Sequence, residues 1–430
     1  CPGGAAQEPR REYHCHNVTV RDLAEVVDKA LDEGRFSEAM DLLADDARTD
    51  TSPELQERRA VAAYGAGDFE ETIRCWERVH GLCRDADDSP AAARAAAMVA
   101  MFLMIDTGLM APVRGWLGRA EDLLAGTEGD PVGAILSAVR TYERFMCGDL
   151  DRAGELASEA IELGRRFGDR NAEVIGRTAA ARVAILSGDV DGGLERLDDV
   201  GALLMSGEVD PLTTGMMLCE LVCAAQGLSK YDMATEWTEA MDRWGSVSAF
   251  GGLGGRCRVH KAELLRVSGP ADAAEAEALQ ACDDLRPWMR REFGWPLAEL
   301  GNVRLRKGDL AGAEEAFVAA HEHVWCPHPG LAQVRLAQGR PQEARELIDE
   351  AIAHPFRTPS KERPPFVDLT LAPLYEASAE IAAALGDATA ADAAATSLRD
   401  IAGQWPSPWL EASADLAEAR ARLCAADHGA

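Results

Sequence analysis

Four side chains toward the end of the chain carry ligand chemistry at short spacing: His321, His323, Cys326 and His328. Imidazole nitrogens and a thiolate are the ligand types zinc takes. Two positions apart on a helix, however, His321 and His323 diverge by about 200°. The backbone would have to unwind to gather all four, so exposed residues at a helix end are the preferred reading. A metal-dependent enzyme or metal binder on a helical scaffold is the alternative. His14-Cys15-His16 has the same ligand types in a tail without helical period, where binding would be adventitious. The glycine-rich run Ser246 to Gly255 follows no strand and precedes no Gly-Lys-Ser/Thr, so it reads as a loop rather than a phosphate cradle. Asp189-Val190-Asp191-Gly192 starts like a calcium loop but lacks its later glutamate at the right place. No Gly-x-Ser-x-Gly, His-Glu-x-x-His or Walker sequence is present. No catalytic residue and no cofactor are expected.

The elements that would carry these residues come from a recurring turn. A glycine is followed five positions later by a small residue at Gly34/Ala39, Gly148/Ala153, Gly188/Gly193, Gly269/Ala274, Gly308/Ala313, Gly339/Ala344 and Gly386/Ala391. From Gly108 the turns step by 40, 40, 41, 40 and 39 residues, with Ser229 in one slot. A fixed period of this size is the mark of stacked helical hairpins. Glycine ends the first helix because it accepts the left-handed conformation there. Asp149, Asp189, Asp309 and Asp387 follow and can cap the next helix. The small residue lets the two helices approach, and each hairpin needs its neighbours to bury its apolar face.

Around Gly308, the positions of Leu297, Leu300, Gly301, Ala313, Phe317 and Ala320 resemble the tetratricopeptide (TPR) pattern. The expected fold is therefore all-α, a right-handed superhelical solenoid of about ten hairpins with helices longer than the usual repeat. Counting back from the turns places Met216, Cys219, Cys223, Gln226, Arg256, Glu263, Trp295 and Asn302 on the concave face. These are the candidate groove residues for a protein, a peptide or a small effector. On that reading Cys219 and Cys223 are accessible and react with thiol reagents before Cys147 and Cys282.

The chain has 430 residues, 44 Lys and Arg against 73 Asp and Glu, and a net charge of −29. Such a field repels phosphate backbones, which argues against direct nucleic-acid binding. The most apolar stretch, Pro90 to Gly108, is interrupted by Arg94 and Asp106 and reads as a close-packed core helix, not a membrane span. Eleven scattered cysteines without a secretory signal point to a reducing, cytoplasmic compartment. The start at Cys1 points to a fragment or a processed product. The organisation expected is a disordered tail over 1–17, a solenoid over 18–356, a Pro- and charge-rich loop over 357–365, and a last hairpin with a capping helix over 366–430.

Two segments resemble something narrower. One is Trp325-Cys326-Pro327-His328-Pro329-Gly330 through Arg340. The other is Asp210-Pro211-Leu212 through Trp237, continuing from Gly255 to His260. Both resemble the TPR region of large actinobacterial regulators of the LuxR type. The resemblance, over about 130–386, implies a regulatory, non-enzymatic module. This chain carries neither the Walker loop nor the helix-turn-helix of such regulators.

Overall fold

The computed structural model describes residues 19–44, 46–127, 129–244, 251–287, 289, 292–356 and 361–427. Every regular element among them is helical. Ten successive pairs form the hairpins: α1 (Val20–Asp32) with α2 (Phe36–Ala44), α3 (Pro53–Ala66) with α4 (Phe69–Asp85), α5 (Ser89–Phe102) with α6 (Met110–Leu124), α7 (Val132–Met146) with α8 (Leu150–Phe167), α9 (Arg170–Leu186) with α10 (Val190–Leu204), α11 (Pro211–Gly227) with α12 (Tyr231–Trp244), α13 (Gly251–Ser268) with α14 (Ala271–Leu285), α15 (Gly294–Lys307) with α16 (Leu310–Glu322), α17 (Gly330–Ala337) with α18 (Pro341–Ala353), and α19 (Val367–Ala384) with α20 (Ala388–Gln404). The helix α21 (Pro408–Asp427) closes the stack against α20 and α19. The molecule is an all-α, TPR-like solenoid.

Local chemistry explains the repeat. Gly148, Gly188, Gly308 and Gly386 are left-handed, and Ser229 adopts φ 58° in the same role. Asp149, Asp189, Asp309 and Asp387 each accept a backbone N–H three residues on, which removes one orphan donor per helix. The small residues Ala39, Ala153, Ala274, Ala313, Ala344 and Ala391 are all fully buried. Phe317 shows why the approach must be close. A Cβ on Gly301 of α15 or on Gly330 of α17 would strike its ring.

Two departures from regularity shape the interior. The end of α5 widens into a π-turn over Leu103–Thr107, closed by left-handed Gly108. Such turns insert one extra residue and free a carbonyl. The apolar helix that it ends is packed in the core, with Ala92, Ala93, Ala95, Ala96, Ala97, Val99 and Ala100 all buried. The second departure is the described part of the region read as a loop. Residues 361–366 run back inside the solenoid, against helices laid down more than a hundred residues earlier. The last hairpin follows. Phe366 stacks on Trp405 with ring centroids 4.2 Å apart, Lys230 donates to the Pro406 carbonyl at 2.6 Å, and Tyr231 meets Trp409 at 5.2 Å. One apolar core therefore joins Phe36 through Cys257 to Leu369 through Ala421.

Candidate functional site: a charged knot beside a methionine-walled cavity

The centre of the coil is built on α11, whose residues from Leu212 to Gln226 are all buried. A helix apolar on every side belongs in an interior, yet this one carries Glu220, 3% exposed. Burying a lone carboxylate is costly, so it must be paired. Lys361 provides the pair, with Nζ 2.7 Å from Glu220 Oε1, and Arg182 Nε of α9 lies 3.7 Å away. The next residue, Glu362, has a fully buried side chain; it meets Arg256 Nη1 at 2.6 Å and His260 Nε2 at 3.1 Å, both from α13. Arg256 also donates to the Ile105 carbonyl at 2.9 Å, the group exposed by the π-turn, and pairs with Glu292 at 3.3 Å. The Lys361 carbonyl accepts from the Cys223 thiol at 2.7 Å and from Arg182 at 3.4 Å. Gln226 amide nitrogen donates to the His260 carbonyl at 3.0 Å, and His260 Nδ1 donates to Gln226 Oε1.

The electrostatics follow from that packing. Burial pulls His260 down, but its hydrogen bonds to Cys219 and Glu362 and the charge of Glu362 outweigh it and hold the imidazole at about 10. Burial would raise Glu362, yet Lys361, His260 and Arg256 keep it well below the usual carboxylate range. Asp106, on the π-turn, is 4% exposed, and one of its carboxyl oxygens has no hydrogen-bond partner among the described residues. Burial lifts it to about 7, against the opposing charges of Arg256 and Lys361.

Beside this knot lies a cavity of about 200 Å³. Six of the twelve methionines line it: Met101, Met104, Met110, Met146, Met216 and Met217. Thioether side chains are polarisable and adaptable, so such a wall fits varied apolar bodies. Tyr142 offers a hydroxyl whose one partner among the described residues is the Met217 sulfur at 3.8 Å; burial holds that hydroxyl protonated. At the polar end stand Glu220, Arg256, Glu292, Lys361 and Arg363. Val324 lines the cavity while 64% exposed, so the cavity reaches the surface.

The eight groove candidates separate into two groups. Met216, Cys219, Cys223, Gln226, Arg256 and Trp295 are buried. Cys223 and Arg256 contact the returning segment, Gln226 holds His260, and Trp295 sits edge-on to the His260 ring at 4.9 Å. Glu263 and Asn302 belong to another cluster. There Tyr231 donates to Glu263 at 2.7 Å, Asn302 to Glu299 at 3.2 Å, and Arg266 pairs with Glu299 at 2.7 Å. The accessibility expectation fails for three of the four thiols: Cys219 and Cys223 are buried and Cys147 is exposed, while Cys282 is buried as expected. The reason is the chain itself, which covers Cys223 with the Lys361 carbonyl.

The metal candidates fare differently. His321, His323, Cys326 and His328 do not converge. His321 and His323 are exposed at the end of α16, and His323 lies edge-on to Phe293 at 5.1 Å. Cys326 faces the His328 carbonyl at 3.8 Å, and burial, with the nearby His321 charge, lowers His328 to about 4. Among the described residues, the one group of three ligand-type side chains with atoms mutually within 4.8 Å is Cys223, His260 and Glu362. Arg256 and Lys361 pack on that same Glu362, so a cation would enter a site already neutralised by fixed positive charges. Asp189 is occupied in capping α10. His14, Cys15 and His16, and residues 246–250 of the glycine-rich run, lie outside the described residues; 251–255 open α13.

Sequence reasoning missed Lys361, Glu362, Arg363, Arg182, Tyr142 and the Asp106 π-turn. One signal was available: a glutamate inside a helix otherwise apolar on all faces demands a cation from elsewhere.

No protein-family model matches the chain, and no curated protein matches it. Similar solved structures include a tetratricopeptide repeat protein from Parabacteroides merdae, 13% identical, with a TM-score of 0.40 over 66% of this chain and 99% of that one. Another is the APC/C hetero-tetramer Cut9-Hcn1, 15% identical, with a TM-score of 0.45 over 92% of this chain and 83% of that one.

Proposed function

We propose that this chain is a non-enzymatic sensor and interaction module, the regulatory part of a cytoplasmic LuxR-type regulator, and that it takes a small apolar effector inside its coil. The observation that carries the reading is the methionine-walled cavity of about 200 Å³ at the centre of the solenoid. A ligand pocket is concave and largely apolar, with a few polar groups at one end, and this cavity has that composition. The concave face that would otherwise receive a peptide is filled here by residues 361–366 of the same chain. The net charge of −29 leaves nucleic-acid contact to another part of the regulator.

The volume sets the ligand size. A dry cavity of about 150 Å³ accepts benzene, so this one holds about eight carbon atoms. Toluene, p-xylene and hexanol are suitable neutral probes. Each should raise the melting temperature of the protein, because a ligand that binds only the folded state stabilises it. Ala138 lines the cavity and is fully buried; Ala138→Phe should fill the space and abolish the shift. Absence of a shift with every probe would overturn the reading.

A further inference from the structure

Arg363 stands apart from the other charges around the cavity. Three cations and two carboxylates face it. Lys361 is held by Glu220, and Arg256 by Glu362 and Glu292. Arg363 has no ion pair and no hydrogen bond to any described residue, and its Nη2 is buried without a partner. Its guanidinium is instead clamped between two aromatic rings, 4.1 Å from the Trp325 centroid and 4.1 Å from the Phe356 centroid. It lines both the cavity and a wider cleft of about 890 Å³.

An arginine in this state has been oriented but not neutralised. Stacking between rings fixes the plane of the fork and leaves its edge free to donate. Burial lowers Arg363 to about 10, outweighing the opposite pull of Cys326 and of Glu292, which is already paired with Arg256, the direction expected of a desolvated cation. The missing partner is a planar anion that can accept two parallel N–H bonds while its body lies on an apolar wall.

Resting on the effector reading above, we propose that the ligand is a small organic monocarboxylate, its carboxylate on the edge of the Arg363 guanidinium and its hydrocarbon body among Met104, Met216 and Met217. The headgroup supplies the charge that the site lacks. The methionine wall accepts an aliphatic or aromatic body of about eight carbons, from the same volume argument.

The test is a matched series on the full chain: octanoate, octanol, octylamine and octyl phosphate, with dissociation constants from calorimetry at pH 7.5. Octanoate should bind at least tenfold tighter than octanol, because a hydrogen bond to a charged group is worth that much, and octylamine should bind weakest. Arg363→Gln should erase the preference for octanoate while leaving octanol binding in place. Arg363→Lys keeps the charge but not the fork, and should retain only part of it. Octanol equalling octanoate, or the preference surviving Arg363→Gln, would overturn the carboxylate assignment and leave the apolar effector reading standing. Octyl phosphate binding tighter than octanoate would overturn the carboxylate in favour of a phosphoryl headgroup. Failure of all four ligands to bind would remove both readings together. The wild-type series decides the headgroup even if the Arg363 variants do not fold.

Discussion

At the scale of single residues, the interior holds charges whose stability effects have opposite signs. Burial raises Asp106 from the ordinary 3.8 to about 7 in the folded chain. Between those values the native state keeps a proton that the unfolded state has released, so stability falls as pH rises, by at most on the order of 4 kcal/mol. Asp106→Asn removes that penalty. Its urea midpoint should exceed the parent's at pH 8 and match it near pH 4; equal midpoints at both would mean Asp106 is ionised without cost. His260, raised from 6.5 to about 10, adds stability that is complete below 6.5 and is lost as pH climbs through 10. Glu362 has the reverse sense: depressed by Lys361, His260 and Arg256 against the cost of burial, it stabilises above the ordinary carboxylate range and loses that contribution in acid. Glu362→Gln leaves His260 buried without its anion and Arg256 with Glu292 alone. It should cost about 3–5 kcal/mol, measured by denaturant unfolding at neutral pH.

At the scale of elements, the hairpins were legible because their causes are local. Gly308, Asp309 and Ala313 specify a left-handed stop, a cap and a close crossing within six residues, and the structure shows all three. Counting from such turns placed Met216, Cys223 and Arg256 on a concave face; the structure buries all three. What the pattern does not encode is which distant segment meets them. Lys361 and Glu220 are 141 positions apart, and a period of about 40 has no term for that contact. Burial of Cys223 depends on that distant segment, and Cys219 is enclosed by Cys257 and His260 of α13, which is why their exposure was misjudged. The metal candidates show the complementary case, in which helix geometry at His321 and His323 alone argued against convergence. Crossing geometry yields its own test. Ala313→Leu or Gly330→Ala forces side-chain atoms into space held by packed neighbours, Phe317 in the second case. Each should lower stability by about 1–3 kcal/mol, seen as a lower midpoint in circular dichroism melts. An unchanged melt for Gly330→Ala would mean that the Phe317 ring can move aside freely.

At the scale of the molecule, residues 361–366 convert a linear array into a closed one. In an open solenoid each repeat contacts only its neighbours, stability is a sum of nearest-neighbour terms, and unfolding can proceed from the ends. Here Arg182 reaches the Lys361 carbonyl across 179 positions, Lys230 reaches the Pro406 carbonyl across 176, and Arg256 reaches Glu362 across 106. These contacts tie α9, the turn between α11 and α12, and α13 to the segments that flank the last hairpin, and one apolar core spans both parts. Melting any middle repeat must therefore expose the Lys361–Glu362 knot, and losing the knot frees the C-terminal helices. The parent protein should unfold in a single transition, with the calorimetric and van't Hoff enthalpies equal. Lys361→Ala combined with Glu362→Ala cuts the tie and leaves Glu220 and Arg256 short of partners. The double variant should melt in two steps, the C-terminal hairpin and its closing helix separating first. Native-state hydrogen exchange should place the early step, with protection lost in α19 to α21 before α7 to α9. A single transition in the double variant, with uniform loss of protection, would show that the apolar core alone closes the coil and that the buried charges serve the cavity instead.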